Sequence, residues 1–409
     1  MLPVAHSPAG MQWRYAHTVL SACALAYFAV RFAQLLVSPL VPELVGAFGV
    51  TRSAVGGALT AMWVAYALSQ LPSGLLGDRY GERPVVLAAL ALTAVASVAL
   101  AGAPSFPAFV AAITLLGAGA GLFYNVAVVL LAGEFDEIGR AIGGYRAGAQ
   151  LAGLVAPVAA TAAVVRAGWR VALLAGVVPA LVALVAFVAR IRPAAGDRTG
   201  EPDRADRALP GARALLGTLS RPRIAATTLL ATLGEFALVA TTSFLPAFLV
   251  EHHGLALPVA GGLFSAYFAS VALGQPAVGW LSDRTRDGAI AAAMVAGAAG
   301  YGALAAGRTF AAAVPGVLLV GVGMSWGPPV QSRALDALDD DEQGLGFGLV
   351  RTCYILLGAL GGVAVGTVAE RAGWSVAFWL LSGISLCALG TVIAVTVLGR
   401  GAGDAGTLR

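Results

Sequence analysis

Residues 70–81 read QLPSGLLGDRYG, and residues 275–286 read QPAVGWLSDRTR. Gln70, Gly74, Asp78 and Arg79 of the first stretch recur as Gln275, Gly279, Asp283 and Arg284 of the second, each 205 positions later. The same offset carries Gly56-Gly57 onto Gly261-Gly262, Glu137 onto Glu342, and Gly143, Arg146 and Gly153 onto Gly348, Arg351 and Gly358. Gly168-Trp169 maps onto Gly373-Trp374. Glycine matches are weak testimony in a chain with 53 glycines, but matched Asp-Arg, Arg and Trp positions are not. One unit is written twice.

Composition says what that unit is. Of 409 residues, 59% are hydrophobic and 11% charged, and the mean hydropathy is +0.85. A water-soluble domain carries roughly a quarter of its residues as charges. Here apolar runs recur along the whole chain, each long enough to cross a bilayer as a helix. Twelve are counted, at 16–38, 53–76, 84–103, 107–132, 141–165, 170–190, 223–250, 258–281, 289–307, 310–333, 345–369 and 374–398. No alternating strand pattern occurs, which excludes a barrel. The first run is too long for a signal-peptide core and lacks a small-residue cleavage site, so it counts as helix one. The polar stretch 191–222 mixes arginine, acid, proline and glycine and reads as a linker. The expected fold is therefore an all-α membrane protein with bundles of six helices at 1–190 and 223–409. Six is even, so both bundles start from the same side and are related by an axis along the membrane normal.

All 25 cationic side chains are arginine. With the N-terminus inside, 19 fall in inner loops or helix ends and 5 outside, at Arg52, Arg166, Arg170, Arg308 and Arg371. This bias places both termini in the cytoplasm of a protein of the cell (plasma) membrane. The net charge of +4 thus reflects topology, and no nucleic-acid partner is needed to explain it. Cys23, Cys353 and Cys387 all lie in apolar runs and read as small core hydrophobes. GAGAG at 117–121 sits inside a run and spaces glycines for close helix packing, and the absence of lysine excludes a phosphate-loop nucleotide site. His252 and His253 read as a solvated pair in an outer loop. No nucleophile triad or metal-ligand spacing occurs, so neither an enzyme nor a cofactor is expected.

The loop after helix two, Gly74 to Arg83, resembles the signature loop of the major facilitator superfamily, with a degenerate copy at Gly279 to Gly288. The pattern is a glycine, then Asp-Arg, then Gly and two basic residues. Glu82 takes the place of one basic residue, and Arg286 takes the place of the later glycine in the second copy. The resemblance spans essentially the full chain. It implies a monomeric secondary transporter that moves a small-molecule substrate, with protons, by rocking two bundles within the lipid bilayer. It also implies that such loops hold the cytoplasmic ends together in one state and release them in another. The residues suit that role: Gly77 and Gly81 give backbone freedom, and Asp78 favours the positive end of helix three, expected to start at Pro84. Arg79 and Arg83 can reach Glu134 and Asp136 at the end of helix four. Asp283 and Arg284 repeat the pair, and Arg146 and Arg351, which begin helices five and eleven, read as further gate residues. The competing reading is that these arginines only fix topology.

One arginine is left in mid-span. Arg31 lies 16 residues beyond Tyr15, about 24 Å along helix one. A cation at that depth costs about 2.5 kcal/mol or more and normally faces a wet cavity or a partner, unless it snorkels outward. One acidic residue is comparably deep: Glu235 in helix seven. Helices one and seven occupy equivalent places, and Pro42 and Pro246 differ by 204, as do Arg31 and Glu235. The two charges are therefore expected to pair when the site is empty, with an anion competing for Arg31 and the freed Glu235 taking a proton. The stretch YFAVRFAQLLVSPLVPEL also resembles helix one of the organophosphate exchangers and anion–cation symporters, which implies an aromatic partner for the arginine at Phe28 or Tyr27. Where the exchangers add a second arginine in helix seven, this chain offers Leu238 and Glu235, so a small monoanion fits better than a phosphate dianion. Bidentate recognition by arginine favours a carboxylate. Gln34, Tyr124, Asn125 and Trp326 complete the candidate ligands, each with interhelical packing as its competing reading. The alternative function is proton-driven efflux of lipophilic or cationic compounds. Of the helix-five motif that such antiporters carry, Gly143 and Pro157 are kept, while Ala152, Ala156 and Ala160 stand in place of glycines.

Overall fold

The structure is a computed structural model that describes residues 9–135, 138–192, 217–338 and 343–406. Asp136, Glu137, Glu342 and most of the linker lie outside the described residues. Among the described residues eleven helices are long and apolar enough to span a bilayer, and a bent helix supplies the twelfth. In chain order they are α1 (Tyr15–Phe48), α2 (Arg52–Tyr80), α3 (Glu82–Gly102), α4 (Phe106–Ala132), α5 (Ala141–Ala167) and α6 (Trp169–Arg190). The second set is α7 (Pro222–Glu251), α8 (Leu257–Arg284), α9 (Arg286–Ala306), α10 (Phe310–Asp336), α11 (Gly346–Ala372) and α12 (Trp374–Thr396). No strand occurs among the described residues. Twelve spans and two six-helix bundles are as the sequence led us to expect.

The duplication is visible in the backbone. Gly168 and Gly373, the matched glycines before the matched tryptophans, have φ of 83° and 88°. Only glycine takes that conformation cheaply, and each lets the chain reverse in one residue. Gly81 (φ 83°) makes the same one-residue turn between α2 and α3, so α3 starts at Glu82, two residues before Pro84. The second copy lacks that glycine, and Thr285 links α8 to α9 in an extended conformation instead. Within the spans, glycines bring helices together. A Cβ on Gly117 or Gly121 would stand 2.0 or 2.3 Å from the carbonyl oxygen of Met62 or Tyr66, so α4 lies directly on α2. Proline and short turns break the straight runs. α2 bends by 41° at Pro72, and α10 is interrupted at Met324–Trp326 just before Pro328 and Pro329.

Two sequence expectations need correction here. His253 is buried, with Nε2 bonded to the Leu304 carbonyl at 3.1 Å, and His252 stacks on Phe248 at 4.9 Å, so the pair is packed instead of solvated. Burial, with the neighbouring His253 and Arg308 acting on His252, lowers the pKa of both imidazoles. Cys23 is buried, but Cys387 is exposed, so it is no core residue.

We call the membrane face where α1 begins and α12 ends the terminal face and the other the far face. Arg52, Arg166, Arg170, Arg308 and Arg371 all sit at far-face helix ends or loops, as the charge pattern requires. The bundles meet mainly toward the far face. Ser38 donates to the Thr242 carbonyl, Ser53 and Thr367 hydroxyls are 2.8 Å apart, and Thr60 donates to the Ala359 carbonyl at 2.9 Å. Arg52 of α2 is the centre of this seam. Its guanidinium bonds Glu251, its backbone N–H donates to Glu370 at 2.9 Å, and Glu251 also accepts from Trp374 Nε1 at 3.0 Å. These side chains are part-exposed, so the lock contributes about 1 kcal/mol to far-face closure. Arg52→Gln is therefore expected to raise far-face opening about fivefold. The readout is labelling of Ser53→Cys by an impermeant maleimide, in a background without the native cysteines. Unchanged labelling would show that helix packing alone keeps the far face shut.

Candidate functional site

Arg31 is half-buried on α1, and its Nη1 donates to Gln34 Oε1 at 2.9 Å, one turn along the same helix. The guanidinium also lies 5.5 Å from the Trp63 ring of α2, a cation–π distance. It therefore faces the protein and does not snorkel. Gln34 is 3% exposed, and its Nε2 has no hydrogen-bond partner among the described residues. Of the two aromatic alternatives, Phe28 stacks on Phe32 of its own helix, whereas Tyr27 packs on Tyr145 at 4.5 Å and Tyr124 at 6.1 Å. Tyr27 is the one that joins the site.

Glu235 lies across from this cluster. A Cβ on Gly358 would stand 2.6 Å from Glu235 Cβ, so the repeat glycine lets the acidic side chain lie directly along α11. The charges acting on it are those of Arg351 first and Arg31 second. The expected Arg31–Glu235 contact is not formed: among the described residues no ion pair joins them. The reason is local, since Arg31 turns to Gln34 and Trp63 while Glu235 is held at the α7–α11 seam. Both nonetheless act on Tyr267 of α8, so they face one region between the bundles.

Arg146 and Arg351 also differ from the expectation. Among the described residues neither is bonded to an acid at the membrane surface. Both donate to one hydroxyl, that of Tyr124 on α4, from Arg146 Nη2 at 3.1 Å and Arg351 Nη1 at 3.3 Å. The Arg351 guanidinium lies 4.2 Å from the Tyr124 ring centroid. Tyr124 thus stands where the matched arginines of the two bundles meet. Asn125 is used otherwise, its Nδ2 donating to the Gln70 carbonyl at 2.9 Å to join α4 to α2. Trp326 is buried against Gly234, where a Cβ would stand 2.5 Å from the indole, and its Nε1 has no partner among the described residues.

The signature loops lie apart on the terminal face. Asp78, Arg79, Asp283 and Arg284 are exposed. Arg79 stacks on Tyr80 at 5.3 Å and Arg284 on Trp280 at 3.4 Å. Arg83 does not hold Glu134: its Nη2 donates to the Val188 carbonyl of α6 at 3.0 Å, and Glu134 is exposed under the charge of Arg192. None of these contacts crosses between bundles. Sequence reasoning missed the pairs that brace the second bundle here, Arg333 with Asp287 at 2.5 Å and Arg286 with Asp336. The signal is in Arg286, which stands where the loop pattern has its later glycine. It missed the Arg52 lock as well, because Glu251 and Glu370 lie 199 and 318 positions from Arg52.

Three guanidiniums, one carboxyl and a group of buried tyrosines thus converge between bundles that are bonded toward the far face. Such a seam in a twelve-helix bundle defines a multi-pass membrane transporter, not an enzyme. The chain belongs to the Major Facilitator Superfamily, whose sequence profile matches residues 23–335 and 228–406. It is 31% identical over 169 residues to a probable 4-methylmuconolactone transporter of Cupriavidus pinatubonensis, an alignment spanning 40% of each chain. It is 28% identical over 152 residues to an uncharacterized MFS-type transporter of Mycobacterium tuberculosis, spanning 37% of this chain and 26% of that one. The alignments thus cover less than half the length of either relative. Among solved structures, a bacterial homolog of the human lysosomal transporter Spinster in an inward-facing, occupied conformation aligns with a TM-score of 0.77 at 14% identity, covering 93% of this chain and 97% of that one. The nucleoside transporter NupG aligns with a TM-score of 0.77 at 14% identity, covering 92% and 99%. These two share the fold.

Proposed function

We propose that the protein is a proton-coupled transporter of a small organic anion, working by alternating access of its two bundles in the plasma membrane with both termini cytoplasmic. The observation that carries this reading is the convergence of Arg31, Arg146 and Arg351 on the seam, against the single acid Glu235. A site with that balance attracts an anion and repels a cation. The name of the Cupriavidus relative points the same way, since 4-methylmuconolactone is an organic acid. In this mechanism Arg31 and Gln34 hold a carboxylate while Trp63 backs the guanidinium, and Glu235 carries the proton. In this cycle the signature loops are the gate that closes the terminal face over a loaded site. Cation efflux is disfavoured because a cation approaching Glu235 meets Arg351 and Arg31.

The test is uptake into proteoliposomes of a panel of carboxylates, inorganic phosphate and cationic dyes, with and without an imposed pH gradient. Saturable carboxylate uptake that rises when the outside is acid supports the proposal. Dye transport with no carboxylate uptake would replace it with the efflux reading.

A further inference from the structure

Tyr124 accepts hydrogen bonds from two guanidiniums, Arg146 of the first bundle at 3.1 Å and Arg351 of the second at 3.3 Å. The Tyr124 oxygen accepts from both guanidiniums, and so two cations withdrawn from water share a single acceptor atom. No carboxylate is bonded to either among the described residues. Two buried donors beside them, Arg351 Nε and the Tyr145 hydroxyl, have no hydrogen-bond partner among the described residues. Buried donors without acceptors are rare in folded proteins and mark places where a ligand supplies the acceptor. Tyr27 connects this cluster to Arg31. It sits four residues away on α1, about 6 Å along the helix, with its ring 4.5 Å from Tyr145 and 6.1 Å from Tyr124.

We infer that Arg146, Tyr124 and Arg351 form a second carboxylate subsite, one arm from each bundle, and that the substrate is a short dicarboxylate. The inference rests on the anion reading above and extends it. One carboxylate lies on Arg31 and Gln34. The other displaces the Tyr124 oxygen from between Arg146 and Arg351, accepts from the Arg351 Nε, and takes the freed Tyr124 hydroxyl as a further donor. Charge permits two carboxylates, since three guanidiniums face a Glu235 that carries its proton when the site is loaded. Because the arms belong to different bundles, the bridging carboxylate also draws the terminal-face halves together.

The experiment measures equilibrium binding of α,ω-dicarboxylates from succinate to suberate, and of monocarboxylates of equal length, to purified full-length protein. The best dicarboxylate is expected to bind at least tenfold more tightly than its monocarboxylate. Arg146→Gln and Arg351→Gln should each abolish that advantage, with a native-like melting curve in detergent reporting that the variants are folded. Arg31→Gln should weaken both classes. An unchanged advantage in the two clamp variants, or no advantage in the native protein, overturns the inference and leaves a monoanion transporter. Failure of every acid to bind overturns the anion reading together with it.

Discussion

Arg31→Gln is expected to reduce saturable carboxylate uptake by at least about 100-fold while the purified protein keeps its thermal midpoint. The size follows from the chemistry. A carboxylate on a guanidinium gains charge-assisted hydrogen bonds of about 1.5–3 kcal/mol each in a site withdrawn from water, and glutamine replaces at most one of them without charge. A net loss of about 3 kcal/mol is a factor of over 100 in affinity. Stability is spared because the guanidinium makes one bond in the protein, to Gln34 on its own helix, and rests on Trp63. Glutamine keeps a donor for Gln34 and removes a buried charge. Arg31→Lys separates charge from geometry: it restores the cation but not the planar fork, so partial recovery of uptake is the expected result. Radiolabelled uptake in proteoliposomes, alongside a melting curve in detergent, decides the matter. Native uptake in Arg31→Gln would move the anion site elsewhere, and a collapsed melting curve would make Arg31 structural.

The fold was legible because membrane helices announce themselves by length and apolarity, and because duplication leaves paired Asp-Arg and Gly-Trp signatures 205 residues apart. The site was half legible. Depth along a helix can be counted, so Arg31 and Glu235 stood out as charges that hydrocarbon would not tolerate. Direction around the helix axis cannot be counted in the same way. That is why depth alone pairs Arg31 with Glu235, although the structure sets Arg31 against Gln34 and Trp63 and packs Glu235 on Gly358. Arg146 and Arg351 lie only about one and a half turns into their spans, a position that reads as a surface gate. Their convergence on Tyr124 depends on how α4, α5 and α11 cross, which no local pattern encodes. The closely spaced glycines were read correctly as packing devices, but the sequence did not say that Gly358 opens room for Glu235.

Glu235→Gln is expected to abolish accumulation driven by a pH gradient while sparing substrate exchange. With one proton per anion, each pH unit across the membrane sustains about 1.4 kcal/mol, or tenfold accumulation. Glutamine copies the shape of the protonated acid but cannot release the proton. The groups acting on position 235 are Arg351 and Arg31, and the hydroxyls of Tyr267 and Tyr354 sense its charge in turn. When substrate leaves the native protein, an ionised Glu235 offsets the Arg351 charge, and the empty bundles can then close together. In Glu235→Gln that offset is missing, so only the loaded form, neutralised by the anion itself, crosses the cycle. Counterflow of labelled anion against unlabelled anion should therefore run at near the native rate. Net uptake should stop at the external concentration under any gradient. If the variant still concentrates its substrate, the proton is carried by another group. If exchange is lost along with accumulation, Glu235 serves the binding site itself and coupling must be sought outside the α7–α11 seam.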